Sequence, residues 1–145
     1  MLCLDTNILV HAFRTGSPDH QRVRSWLIQA LNGDEPVIVP VDVGSAFLRL
    51  CTNSRVFPDA SSSADALEFL QRVTRAAYVV SASPSAWQRF LDLVAEFELV
   101  GNDVPDALLA AEALDYQAAL VTFDQGFGRF TDDLPPFSGP VDLTP

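Results

Sequence analysis

Residues 1–10 read Met1-Leu2-Cys3-Leu4-Asp5-Thr6-Asn7-Ile8-Leu9-Val10. A short apolar run, Leu2–Leu4, stops at a carboxylate, and Ile8, Leu9 and Ala12 then follow at helical spacing from about Asn7. A strand that passes straight into a helix is the opening of an α/β unit. The same alternation recurs along the chain. Ser17-Pro18 reads as an N-cap with proline at the first helical position. Val23, Trp26, Leu27, Ala30 and Leu31 then share one helix face, and Gly33 ends it. Val37–Val39 is the second strand, broken by Pro40, and a helix runs from about Asp42 to Cys51. Thr52–Ser62 is polar and turn-rich. Ala64–Arg75 reads as a helix and Tyr78–Val80 as a strand. Ser83-Pro84 repeats the cap-plus-proline start, with Trp87, Phe90, Leu91 and Val94 as the apolar face. Pro105 marks the first turn of a helix reaching about Tyr116, and Ala119–Thr122 is the fourth strand. The tail from Asp132 holds four of the ten prolines, and Val141–Leu143 adds an expected edge strand. No repeat and no linker divides the chain, so a single α/β domain with a mainly parallel sheet is expected over residues 1–145.

Composition supports this. Of 145 residues, 48% are hydrophobic and 19% charged, which excludes a disordered chain. No apolar run approaches the roughly 18 residues of a membrane span. Asp5 interrupts the N-terminus too early for a signal peptide, so a cytoplasmic protein is expected. Cys3 and Cys51 lack metal-ligand spacing and read as buried thiols. Nine basic residues against nineteen acidic ones give a net charge of −10, which argues against non-specific binding to nucleic acid. It leaves room for a local site, since distribution matters more than the sum. All nine basic residues are arginine, the side chain suited to bidentate phosphate contacts.

The carboxylates fall at informative positions. Asp5 follows the first strand directly, and Asp124 follows the fourth. Open parallel sheets bind ligands beyond the carboxyl ends of their strands, which puts both aspartates on one rim. Asp103 and Asp106 sit three apart at a helix start and share a face. Asp42 opens the helix after the second strand. Clustered carboxylates repel one another, and a divalent cation relieves the repulsion. An all-oxygen set without Cys or His selects Mg²⁺ or Mn²⁺, and such ions at a strand rim suit phosphodiester hydrolysis. Each residue also has a plain structural role open to it. Asp5 can cap a helix, Asp124 can sit in a turn before Gly126, Asp103 can be an N-cap, and Asp106 can favour the helix dipole.

Leu4-Asp5-Thr6-Asn7, then Asn102-Asp103-Val104-Pro105-Asp106-Ala107, then Val121-Thr122-Phe123-Asp124 resemble the ordered motifs of PIN-domain ribonucleases, the VapC-type toxins of bacterial toxin–antitoxin pairs above all. The likeness covers nearly the whole chain. It implies a three-layer α/β/α sandwich and an endoribonuclease dependent on Mg²⁺ or Mn²⁺. It also implies a homodimer neutralised by a cognate VapB-type antitoxin. On that resemblance Asp5, Asp106 and Asp124 match the acidic metal ligands, Asn7 and Thr122 the polar residues that orient them, and Asn102 the asparagine ahead of the third acid. One departure stands out. Such nucleases commonly carry a glutamate in the helix after the second strand, and Ala46 stands at its expected place in Val41-Asp42-Val43-Gly44-Ser45-Ala46-Phe47. Asp42 lies one helical turn upstream, about 6 Å along the axis, and is expected to contribute through a water. Asp103 adds charge from the other side.

His11 and His20 have no partner at metal spacing and read as packing or surface residues. Gly126 and Gly128 read as turn residues, because no GxGxxG pattern precedes a capped helix. Arg129, Arg49 and Arg55 are candidates for a phosphate, with solvated surface as the plain alternative. Two other functions fit less of the sequence. One is an interaction protein that keeps the fold but has weakened catalysis through Ala46. The other is a phosphohydrolase with Asp5 as nucleophile, which wants an acid where Asn7 stands.

Overall fold

The computed structural model describes residues 1–130. Its elements, in chain order, are β1 (Leu2–Leu4), α1 (Thr6–Phe13), α2 (His20–Asn32), β2 (Val37–Pro40), α3 (Val41–Cys51), α4 (Ser63–Ala76), β3 (Tyr78–Val80), α5 (Pro84–Glu96), α6 (Asp103–Asp115) and β4 (Ala119–Val121). A 3₁₀ helix, Gln125–Phe130, follows β4. The four strands form one sheet in the order β3-β2-β1-β4, and every pairing is parallel. Leu4 lies opposite Val121, and Cys3 opposite both Ile38 and Leu120.

Strand order fixes the layers. The connections β1–β2 and β2–β3 step the same way across the sheet, and β3–β4 steps back. Parallel crossovers are right-handed, so α1 to α4 cover one face and α5 and α6 the other. The three-layer α/β/α sandwich is therefore present. Because the chain leaves β1 in one direction while β4 lies on its other side, the switch point falls between β1 and β4.

Buried apolar side chains of the central strands, among them Cys3, Leu4, Ile38, Val39, Leu120 and Val121, form the middle of the core. The helix α6 is apolar almost all round, with Ala107, Leu109, Ala110, Ala111, Ala113 and Leu114 buried, as a helix packed on both sides requires. The α4 and α5 starts use side-chain caps. Ser62 Oγ accepts from the Asp65 amide at 3.1 Å, and Ser83 Oγ from the Ala86 amide at 3.0 Å. Ser83 also donates to Asp115 at 2.6 Å, tying the start of α5 to the end of α6.

Two boundaries differ from expectation. Ser17-Pro18 does not open α2, which begins at His20 with Asp19 at the N-cap position. The Ser17 hydroxyl is instead engaged with His11, and it accepts from the Asp19 amide at 3.3 Å, so Ser17–Asp19 forms a turn before the helix. Pro40 does not break β2 but completes it, in register with Val80. Its φ of −59° and ψ of 145° are extended, and a ring that fixes φ is tolerated where a strand ends and a helix begins. The expected strand Val141–Leu143 and the tail from Asp132 lie outside the described residues. Among the described residues no helix is long and apolar enough to cross a membrane.

Candidate active site

Asp5 stands between β1 and α1, the helix N-cap by position. Its carboxylate makes no capping hydrogen bond. Asn7 Nδ2 donates to Asp5 Oδ2 at 2.7 Å, and the Thr122 hydroxyl donates to the same oxygen. Thr122 Oγ1 in turn accepts from Asn7 Nδ2 at 3.0 Å and from the Asp124 amide at 2.9 Å. Thr122 thus joins the acid after β1 to the acid after β4, across the switch point. Asn7 and Thr122 both hydrogen-bond to the Asp5 carboxylate, and Thr122 also accepts from the Asp124 amide.

The turn role of Asp124 is also present. Its Oδ1 accepts from the Gly126 amide at 2.7 Å, at the entry to the 3₁₀ helix. A methyl group on Gly126 would lie 2.9 Å from that oxygen, so glycine is needed for the close approach.

Asp106 and Asp103 reach the site from the first turn of α6 and meet a cation of the chain's own. Arg129 Nη2 lies 3.0 Å from Asp106 Oδ2 and 3.4 Å from Asp103 Oδ1. Asn102, the N-cap residue by position, is exposed and makes no side-chain cap. It is the one predicted positioning residue that the structure leaves apart from the others.

The acids perturb one another. Burial pushes the Asp5 carboxyl above its ordinary value, with Asp124 adding to the rise and the Thr122 hydrogen bond opposing it. Asp106 is pushed up to about 6, first by burial and then by Asp124, against the pull of Arg129, with Asp5 and Asp103 raising it further. Asp5 and Asp106 are thus both raised by neighbouring carboxylates, and such a cluster favours an added cation. Among the described residues, no three His, Cys, Asp or Glu side chains close up as a ready-made metal cage. Arg129 holds Asp106, and Asp124 is turned onto the Gly126 amide. The donor set is nevertheless all oxygen, and its carboxylates outnumber the one arginine among the described residues that pairs with them, Arg129; this fits a hard divalent cation.

A cavity of about 300 Å³ opens beside these acids, lined among others by Asp5, Asp42, Ala46, Arg49 and Asp106. Ala46 thus faces the site, as expected for the place of the absent glutamate, and Asp42 faces it too. Arg49 puts a guanidinium on the same wall. One acid escaped the sequence reading. Glu112, only 2% exposed, lies in the middle of α6 and is in hydrogen-bond contact with Asp42. Its signal was there, as a lone charge in Leu108-Leu109-Ala110-Ala111-Glu112-Ala113-Leu114. His11 and His20 pack rather than ligate. The His11 ring stacks edge-on to Phe123 at 5.0 Å, and His20 Nδ1 meets the His11 carbonyl at 3.1 Å.

Fold and site together define an α/β protein with an acidic, oxygen-only centre at the switch point of a parallel sheet. The chain belongs to the PIN-domain family, whose model matches residues 2–132. It is 37% identical over 132 residues to Ribonuclease VapC43 of Mycobacterium tuberculosis, covering 90% of both chains. Among solved structures it resembles VapC20 of Mycobacterium tuberculosis, a sarcin–ricin-loop-cleaving toxin, with a TM-score of 0.71 and 13% identity over 90% of this chain and 95% of that one. It also resembles VapBC2 of Rickettsia felis, solved bound to a fragment of its promoter DNA. That match has a TM-score of 0.68 and 20% identity over 94% of this chain and 95% of the other.

Proposed function

We propose that this protein is the toxin of a type II toxin–antitoxin pair, a metal-dependent endoribonuclease that hydrolyses RNA phosphodiester bonds. The observation that carries the reading is the meeting of Asp5, Asp106 and Asp124, from three separate elements, at the sheet's switch point, close enough that Asp124 raises both Asp5 and Asp106. The similarity to named VapC ribonucleases over 90% of the chain supports RNA as the substrate.

Asp5, Asp106 and Asp124 would hold Mg²⁺ or Mn²⁺, with Asp42 and Asp103 contributing negative charge nearby. When bound, such an ion supplies a low-pKa water and neutralises charge on the scissile phosphate. The chain's own residues do the rest. Asn7 and Thr122 fix the Asp5 carboxylate by two hydrogen bonds, and Thr122 sets the backbone before Asp124. Arg129 neutralises Asp106 and Asp103 while no cation is present, and once released it is placed to meet a phosphate. Arg49, which lines the cavity, is placed for the same purpose. Absence of the helix glutamate does not favour an inactive interaction protein, because Asp42 lines the same cavity as Ala46.

The partner follows from the same charge. An antitoxin arginine entering the acidic site would replace Arg129 and compete with the cation. The neighbouring VapBC complex supports a VapB-type antitoxin, and a homodimer is the expected assembly.

The test is RNA cleavage by purified, antitoxin-free protein and its Asp5→Ala variant, with Mn²⁺ titration and an EDTA control. Cutting that needs the metal and is lost in the variant is expected. A folded protein that cuts no RNA in millimolar Mn²⁺ would overturn the reading.

A further inference from the structure

We infer that Glu112 is a positioning residue of this active site, donating a hydrogen bond from α6 that holds the Asp42 carboxylate at the cavity it shares with Asp5 and Asp106. The inference rests on the metal-centre reading above and extends it to a residue outside the three motifs.

Glu112 is 2% exposed in a helix otherwise built of alanine and leucine at its buried positions. Burying a carboxyl among apolar groups costs several kcal/mol unless it is paired. Its only acidic neighbour on α3 is Asp42, and the two carboxyls are in hydrogen-bond contact. Asp42 Oδ1 and Glu112 Oε2 are both buried, and neither finds an N–H or O–H donor among the described residues. Carboxylates only accept, so two of them in contact require one proton between them. The more buried partner keeps it, and burial together with the Asp42 charge raises Glu112 above its ordinary range. Glu112 is then the donor of the pair, its O–H directed at Asp42. Cys3 on β1 reports the same cluster, since its thiol is pushed up by burial and then by Glu112, Asp42 and Asp5.

The arrangement answers the absent helix glutamate. A side chain at residue 46 would reach the cavity from mid-α3, and here alanine leaves that wall to Asp42, one turn nearer the helix start. Aspartate is one methylene shorter than glutamate, and a fixed donor behind it sets its direction. Partners of this kind behind metal-binding groups change affinity by about 10- to 100-fold when removed.

The experiment measures Mn²⁺ binding to the purified chain by calorimetry, with no RNA present. Glu112→Leu and the unbranched Glu112→Met are apolar and fit the helix, and their urea midpoints report that they fold. Both are expected to weaken Mn²⁺ binding about tenfold. Glu112→Gln, whose amide donates to the same oxygen, is expected to recover most of that loss. In an Asp42→Ala background, Glu112→Leu is expected to change nothing further, whereas a purely structural residue would weaken binding in both backgrounds. Wild-type affinity in the folded Leu and Met variants overturns the inference, and so does a Gln variant as weak as Leu. Wild-type protein that binds no Mn²⁺ overturns the metal centre itself, which is a different result.

Discussion

At the scale of single residues, proton affinity sets an expectation for stability. Folding raises the carboxyl pKa of Asp106 from 3.8 to about 6, and it raises Glu112 above its ordinary 4.5. The folded chain therefore holds these protons more tightly than the unfolded chain. Stability contributed by such groups is complete below their unfolded values and is lost as pH rises through the folded ones. Metal-free protein is expected to be more stable near pH 5 than near pH 7.5, with a slope of up to about 1.4 kcal/mol per pH unit from each fully coupled group. Urea midpoints across that range check it, and Glu112→Gln should flatten the slope. A wild-type midpoint that rises steadily with pH would remove the protonated Glu112. The same residue shows where sequence reading ends. Asp5, Asn7, Thr122 and Asp124 flank strands, and strand ends on a parallel sheet converge by topology, so their meeting was legible. Glu112 sits six residues beyond Asp106 on α6, and only the folded chain reveals that it meets Asp42. Asn102 is the opposite case, since its motif position said nothing of a side chain that is exposed and caps no helix.

At the scale of elements, strands and helix cores were legible and junctions less so. Period and β-branching place Val37–Val39 and Tyr78–Val80, and Ser83-Pro84 opens α5 as a cap with proline should. The similar Ser17-Pro18 does not open α2, because the Ser17 hydroxyl has a tertiary partner in His11 that no local rule contains. The junction that matters most is β4 to the 3₁₀ helix, where Asp124 and Arg129 lie on one short segment and serve opposite charges. Gly126 is its tightest point. A Cβ there meets Asp124 Oδ1 at 2.9 Å, the far end of a side chain that can turn away. Gly126→Ala is therefore expected to cost little stability, under about 1 kcal/mol, since the substitution lies on the surface. It should nonetheless displace the Asp124 carboxylate and lower RNA cleavage at limiting Mn²⁺. Thermal unfolding and a Mn²⁺ titration of activity separate the two effects. Unchanged activity at every Mn²⁺ concentration would mean that Asp124 has no fixed place in the site.

At the scale of the whole molecule, a net charge of −10 meets a polyanionic substrate. Long-range forces oppose their approach, and only local groups favour it. Arg49 lines the cavity, and Arg129 stands at its acidic edge. Salt distinguishes these ranges, since the screening length falls from about 30 Å at 0.01 M to about 8 Å at 0.15 M. A basic nucleic-acid binder loses affinity steeply over this range as counterions replace its lysines and arginines. Here rising salt first hides the repelling remainder of the surface, while contacts within a few ångströms persist. At saturating Mn²⁺, kcat/KM for RNA is expected to stay level or rise between about 20 and about 150 mM KCl. Arg49→Gln should raise KM in both conditions, because its contact is local. A steep fall with salt in the wild-type chain would instead mean that binding spreads over many phosphate contacts. With nine arginines against nineteen acids, such a surface would have to come from a second copy or a partner rather than from this chain alone.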